Sequence, residues 1–172
     1  MKAKQFTQEV INHMRSIFEY KDGSLYWKAH YHKPFIGKRA GVVLGKKGYE
    51  AVTFQYNGER QRVVTHRVIW MLHNGVIPDG VQIDHIDRNP ANNKIENLRL
   101  STVSQNNANV VKSSLSETGV KNVRFNNNKT KLQVVFKKDG KTVYCGSFLT
   151  LEEAKEVADR ERVKLFGEFA LA

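Results

Sequence analysis

The sequence predicts an α+β fold of two small units, in which short antiparallel strands alternate with short helices. Tight-turn dipeptides such as Asn57-Gly58 join runs of alternating apolar residues, a pattern typical of β-hairpins. Thr102 and Thr150 each precede a Gln or Glu by three residues, as in the capping box that begins a helix. Strands and helices of this length, mixed along one chain, favour α+β architecture.

The first elements are a short helix followed by two hairpins. Thr7 is the expected N-cap of a helix over residues 7–18, and Asp22-Gly23 is the expected turn of the hairpin after it. The second hairpin covers residues 48–64, where apolar side chains alternate on one face of the first strand.

A further hairpin and helix follow in the middle of the chain. A short helix begins at Thr65 and ends before Gly75. The segments "VQIDH" at 81–85 and "LRLS" at 98–101 predict two strands with a polar loop between them. The capping box at Thr102 then predicts a second helix directly after the hairpin.

The last part of the chain predicts a three-stranded antiparallel sheet covered by one helix. Its strands lie in "VKNVRF", "KLQVVFKKDG" and "KTVYCGSF", and a helix begins at Thr150 and ends at Gly167. The polar, serine-rich stretch 110–119 predicts a linker before this unit. The expected domains are residues 1–109, with a core at 65–109, and residues 120–172.

The composition points to a polyanionic partner. The chain has 172 residues, with 28 Lys and Arg against 17 Asp and Glu, a net charge of +11 and a pI near 9.8. An excess of this size favours nucleic acid, although a merely soluble basic protein is the alternative. Cys145 is the single cysteine, which excludes an internal disulfide and a cysteine-rich zinc site. We expect a cytoplasmic protein, since the N-terminus lacks the apolar core of a signal peptide.

The Asp84-His85 pair carries the candidate chemistry. Consecutive residues on a strand point to opposite faces, so one can hold a metal while the other addresses a nearby water. Asn106, in the second turn of the following helix, can lie back over this strand. Asp84 and Asn106 would then offer oxygen ligands to one divalent cation, Mg²⁺ or Mn²⁺ rather than zinc. His85 is the expected general base, because a neutral imidazole can take a proton from water that attacks phosphorus.

The asparagines of the loop are assigned supporting parts. Asn97 is expected to bond backbone groups across the hairpin and thereby to fix His85. Asn89, Asn92 and Asn93 are interpreted as loop formers, since Asn stabilises turns. A chance Asp-His dipeptide is the alternative interpretation of the pair.

The ordered set "IDHID-N-NN-ENLRLST-QNN", directly after an "HR" helix, resembles the HNH nucleases. The resemblance covers roughly residues 48–109 and is strongest to phage and intron-associated homing endonucleases that end in Asn. It implies His85 as general base, Asp84 and Asn106 as metal ligands, and Asn97 as the middle, structural Asn. Some relatives carry a supporting cysteine zinc site, and this chain lacks such cysteines, so no structural zinc is expected.

The "G-F-T-EEA-A" run from Gly146 and the ending "KLFGEFA" resemble the ethylene-response-factor (AP-two) DNA-binding domain. This resemblance covers residues 119–170 and implies a sheet laid in the DNA major groove. The implied DNA-binding residues are Arg124, Asn126, Lys129, Lys131, Gln133 and Lys137. Asn122 and Leu132 depart from the family, which usually has Gly and Trp at these positions. Eight bases and two acids between residues 112 and 141 support this face as the one that meets phosphate.

Together these features predict a site-specific, phage-type homing endonuclease acting in the bacterial host. The N-terminal part cuts or nicks double-stranded DNA, and the C-terminal sheet finds the site. With one active hairpin, a monomer is expected to nick one strand. The alternatives are a non-catalytic DNA-binding regulator, which has no need for the Asp84, His85 and Asn106 set, and an RNA-binding protein.

Overall fold

The chain folds into two compact units. The computed structural model describes residues 5–110 and 117–170, and the units are residues 1–100 and 101–172. Residues 111–116 of the expected linker lie outside the described part of the chain. The helix that carries Asn106 belongs to the second unit. The expected boundaries at 109 and 120 stay a prediction.

The described residues of the first unit form two α-helices and eight strands. In chain order they are α1 Gln8–Ile17, β1 Phe18–Lys21, β2 Ser24–Trp27, β3 Arg39–Ala40, β4 Val42–Leu44, β5 Tyr49–Tyr56, β6 Glu59–Val64, α2 Thr65–Asn74, β7 Gln82–His85 and β8 Leu98–Ser101. They form the sheets β1-β2-β3 and β4-β5-β6 and the two-stranded hairpin β7-β8. The mixed architecture confirms the predicted fold class.

Local signals and burial together account for these elements. Asn57 and Gly58 have φ of 51° and 78°, the left-handed pair that a two-residue hairpin needs. Thr7 is the N-cap of α1, as predicted, although its side chain makes no capping hydrogen bond. The helix is held instead by Ile11 and Met14, which are completely buried. Each such side chain contributes about 1.5–3 kcal/mol of transfer free energy.

One apolar core supports the whole first unit. It gathers Leu25, Val52, Val68 and Ile69 with side chains from α1 and β1. Because α2 is anchored in this core, its first turn is fixed, and with it the buried side chain of His66.

The second unit is the expected sheet with one long helix, preceded by a short helix. Its elements are α3 Val103–Asn109, β9 Val123–Phe125, β10 Leu132–Lys138, β11 Lys141–Phe148 and α4 Leu151–Phe166. The antiparallel order is β9-β10-β11. Ala154 and Ala158 of α4 are fully buried against Val134 and Phe136, since small side chains let helix and sheet approach closely.

A buried arginine joins three parts of this unit. Arg162 is 4% exposed, and its guanidinium donates to Asp159 Oδ1 at 2.7 Å and to the carbonyl oxygen of Lys121 at 3.1 Å. The Lys121 ammonium in turn donates to the carbonyl oxygens of Asn107, Ala108 and Val110 at the end of α3. A cation is favourable at a helix C-terminus, so α4 and α3 are linked through the residues before β9.

Replacing Arg162 by Ala is expected to destabilise the second unit by about 2 kcal/mol, because buried acceptors lose a charged donor. Amide hydrogen exchange of the β10 residues Val134 and Phe136 measures the change. Arg160→Ala, at an exposed position of the same helix, is the control and should stay within about 0.5 kcal/mol. Equal protection in both variants would show that the Arg162 contacts do not stabilise this unit.

Candidate active site

A polar clasp closes the loop between β7 and β8. Asn97 Oδ1 accepts from the Asp87 amide at 3.0 Å, and Asn97 Nδ2 donates to Asp87 Oδ1 at 2.9 Å and to the Asn92 carbonyl oxygen at 2.8 Å. Asn92 Nδ2 donates to Asp87 Oδ2 at 2.7 Å. Two four-residue strands are marginal alone, so these bonds define the loop's shape.

The clasp depends on the charge of Asp87. Burial raises the pKa of this carboxyl, but hydrogen bonds from Asn92, the Asn89 amide and Asn97 outweigh it. The pKa is therefore lowered. The carboxylate accepts more hydrogen bonds than a neutral acid can, which is why ionisation is favoured.

The closed loop presents Asn93 to the candidate base. The Nε2 atom of His85 lies 3.0 Å from Asn93 Oδ1. An amide oxygen only accepts, so His85 Nε2 must carry the proton, and Nδ1 of the neutral ring is then the proton-accepting atom. The interpretation of Asn93 as a simple loop former was incomplete. Asn97, expected to fix His85, acts on the loop, and Asn93 makes the contact with the ring.

Two further rings pack around His85. His66 lies edge-on to it with centroids 4.9 Å apart, and Tyr49 stands 6.2 Å away. Burial lowers the pKa of His66 to about 3, with the nearby His85 and Arg67 adding to the effect. His66 is therefore neutral at ordinary pH and adds no positive charge beside the base.

A pocket opens next to these rings. Its volume is about 480 Å³, and its lining consists of Leu44, Gly45, Lys46, Lys47, Tyr49, Val64 and His66. An apolar wall with two exposed lysines at its edge can pack against the apolar face of a sugar or base and pair with an anionic phosphate. Sequence reasoning missed this pocket, although the "GKKG" turn before β5 is a visible signal.

Asp84 has a cationic neighbour that the sequence did not reveal. Its Oδ2 accepts from Arg99 Nε at 3.0 Å, across the hairpin. Asp84 and His85 are each only 5% exposed. A carboxylate has two oxygens with about four acceptor positions, so pairing with Arg99 is compatible with ligation of a hard cation.

Asn106 lies on α3, which begins at the predicted capping box. Thr102 Oγ1 accepts from the Gln105 amide at 3.2 Å, and Gln105 Oε1 accepts from the Thr102 amide at 2.8 Å. Ser104 Oγ accepts from the Asp139 amide at 2.8 Å, which attaches the helix to the β10–β11 turn. Ligation of a cation by Asn106 together with Asp84 stays a prediction.

The outer face of the C-terminal sheet carries most of the expected DNA contacts. Arg124 and Gln133 are cross-strand partners, while Leu132 and Val134 point into the core. Lys131 and Lys137 are exposed. Tyr144, 56% exposed and paired with Val135, extends this face and was missed.

Two expected contacts are engaged within the protein. The Asn126 side chain accepts from the Thr130 and Lys131 amides and so forms the β9–β10 turn. Lys129 pairs with Glu117 at 2.6 Å. DNA contact by Asn126 and Lys129 stays a prediction.

The two departures from the AP-two pattern have physical explanations. Asn122 has φ of 66°, a left-handed conformation that Asn tolerates almost as Gly does. Leu132, 5% exposed, fills the apolar core in place of an aromatic ring. Neither change therefore conflicts with the sheet.

The described residues contain neither a cluster of three or more His, Cys, Asp or Glu side chains suited to a metal ion nor a helix long and apolar enough to cross a membrane. The first finding concerns sites rich in these four residue types. It does not bear on a ligand set of one carboxylate and one amide.

Comparison with known proteins gives consistent matches. Residues 63–108 match the family model described as HNH endonuclease. The chain is 36% identical over 128 residues to "Uncharacterized HNH endonuclease L560" of Acanthamoeba polyphaga mimivirus, covering 74% of this chain and 63% of that protein. It is 32% identical to "Protein 3.8" of Escherichia phage T7, covering 61% of this chain and 86% of the phage protein.

A solved structure titled "DNA binding and cleavage by the HNH homing endonuclease I-HmuI" also matches. The identity is 21% and the TM-score 0.48, with 90% of this chain and 82% of that chain covered.

Asp87→Asn tests the clasp through pH. The folded-state pKa of Asp87 is lowered, so its stabilisation is complete above the unfolded value near ~3.9 and is lost as pH falls through the folded value. The variant places an amide donor opposite Asn92 Nδ2, and we expect a loss of stability of about 1 kcal/mol at pH 7 that diminishes as pH falls through the folded-state pKa. Urea titrations at several pH values measure it, with the exposed Asp79→Asn as control. A pH-independent difference would contradict the assignment.

Proposed function

We propose that the chain is a member of the HNH endonuclease family, whose model matches residues 63–108, and that it hydrolyses phosphodiester bonds of double-stranded DNA. The observation that carries the proposal is the hydrogen bond from His85 to Asn93, because it orients the ring with Nδ1 as proton acceptor. A hydrolytic nuclease needs such a base within reach of water.

The chain's own groups supply the following steps. The scissile phosphate approaches His85 from the side of the pocket, where Lys46 and Lys47 meet the DNA backbone. Nδ1 of His85 takes a proton from the attacking water. Nε2–H keeps its bond to Asn93, so the ring stays oriented as it becomes charged. Neutral His66 packs against the ring and adds no positive charge of its own beside it.

A divalent cation, Mg²⁺ or Mn²⁺, would be held by Asp84 and Asn106. When bound, it would stabilise the added negative charge at phosphorus and the departing oxygen. The hard oxygen donors of these two residues suit either ion better than zinc. Arg99, paired with Asp84 Oδ2, orients the carboxylate.

We assign target recognition to the C-terminal sheet, as an AP-two-type DNA-binding domain. Arg124 and Gln133 are side chains able to read guanine and adenine edges, and Lys131 and Lys137 meet phosphates. With one hairpin per chain, the protein acts as a monomeric, nicking homing endonuclease. Its place of action is the cytoplasm of a bacterium infected by the phage that encodes it.

His85→Ala is expected to abolish nicking of supercoiled target DNA in Mg²⁺, while gel-shift affinity stays within about twofold, because only the base is lost. Asn93→Ala should reduce kcat by roughly 10–100-fold with little change in KM, since the ring loses its orientation. His73→Gln, an exposed helical histidine outside the hairpin, is the control. Cleavage by His85→Ala at the normal rate would remove the histidine mechanism and favour a regulator that only binds DNA.

Lys131→Ala combined with Lys137→Ala should make the negative slope of log K against log salt shallower by about 1.8. Each phosphate contact contributes about 0.9 to the magnitude of this slope. Filter binding between about 50 and 200 mM salt gives the slope. The control pair Lys155→Ala and Lys164→Ala lies on the acidic helix α4 and should leave it unchanged. If the control pair alone lowered the slope, the DNA face would lie on the helix.

A further inference from the structure

Apart from Lys46 and Lys47, the longest acid-free part of the first unit has no assigned role. Between Asp22 and Glu50 the chain carries six Lys and Arg residues and no Asp or Glu. Lys46 and Lys47 of this stretch lie at the pocket beside His66. The other bases flank or lie within residues 28–37, which we name the aromatic loop.

The base of the aromatic loop is fixed to the fold. The Trp27 amide donates to the Lys38 carbonyl oxygen at 2.9 Å, and the Gly37 amide donates to the Trp27 carbonyl oxygen at 2.7 Å. The amides of Lys28 and Ala29 both donate to the carbonyl oxygen of Ile17, at the end of α1. The two ends of the loop therefore lie close together, and their backbone hydrogen bonds fix its orientation on the unit.

A stack of rings fills the loop. His30 stands at its centre, with ring centroids 4.5 Å from Trp27, 4.4 Å from Tyr31 and 4.8 Å from Phe35. Trp27 also contacts the core residue Phe18 at 4.8 Å, so the stack is anchored in the unit. The rings are thus held in place before any partner binds.

The outer members of the stack face solvent. Tyr31 is 77% exposed, Phe35 46% and Ile36 49%. Lys28 and Lys33 are exposed beside them, and Lys38 Nζ lies 5.9 Å from the centre of the Phe35 ring. Exposed rings on a fixed support, in a loop whose Lys residues are accompanied by no Asp or Glu, are suited to an anion that also has apolar faces.

We propose that the aromatic loop is a second DNA-binding surface, which grips duplex DNA independently of its sequence. Tyr31 packs against deoxyribose or a base step, and Lys28 and Lys33 bind the flanking phosphates. The lack of acids from residue 23 to residue 49 favours this polyanion over a protein partner, whose surface carries both signs of charge. The inference rests on the proposed function, since it adds a grip on the same substrate.

Binding of the full-length protein to a 30-base-pair duplex of random sequence tests the proposal, in EDTA so that no cleavage occurs. Tyr31→Ala should weaken binding on the order of tenfold with an unchanged salt slope, because a ring contact is lost and no charge is removed. Tyr31→Phe keeps the ring and should bind as the wild type does. Val76→Ala, which trims a side chain 50% exposed in the same unit, is the control.

Lys28→Ala combined with Lys33→Ala should make the negative slope of log K against log salt shallower by about 1.8. Lys21→Ala is the control, since Lys21 already pairs with Glu19. Wild-type affinity in Tyr31→Ala, or an unchanged slope in the lysine pair, would overturn the inference and leave the loop to another partner. These assays measure binding alone, so the two proposals can fail separately. If the wild-type protein does not cut DNA but the loop variants bind DNA more weakly, the nuclease proposal is refuted and the loop remains a DNA-binding surface. If the protein nicks DNA normally and the loop variants bind as the wild type does, the loop proposal is refuted and the nuclease proposal stands.

Discussion

The bonds of Asp87 with Asn97 and Asn92 determine where the candidate base lies. Two four-residue strands supply few ladder bonds, so the β7–β8 loop needs side-chain bonds to keep one shape. The clasp supplies them, and in the closed loop Asn93 lies 3.0 Å from His85 Nε2. The abundance of asparagine in this stretch follows from this demand, since an amide can donate and accept at the same time.

The two units position their candidate site residues by different interactions. The first unit places His66 and the hairpin around an apolar core to which α2 contributes. The second holds the short helix α3 through Lys121, whose ammonium meets three carbonyl oxygens, and Arg162, which holds the Lys121 backbone. A helix of seven residues has little stability alone, so these contacts define the position of Asn106 within its unit.

Much of the fold could be predicted from local signals. The Asn57-Gly58 turn, the capping box at Thr102 and the alternation of β10 depend on neighbours in sequence, and all three were found. Long-range pairs could not be predicted from one sequence. Arg99 with Asp84 and Asn93 with His85 were missed because partner choice depends on the register of the hairpin and the path of its loop. The partners of Lys129 and Asn126 within the protein were missed for the same reason, and DNA contact by these two residues stays a prediction.

We infer that the loop fixes one tautomer of His85, with the proton on Nε2 and the lone pair on Nδ1. Long-range ¹H–¹⁵N correlation spectra of the histidine rings measure this directly, at a pH where the ring is neutral. We predict ¹⁵N shifts of a protonated Nε2 and an unprotonated Nδ1 for His85. In Asn93→Ala we expect a mixture of the two neutral tautomers. A bare Nε2 in the wild-type protein would contradict the account.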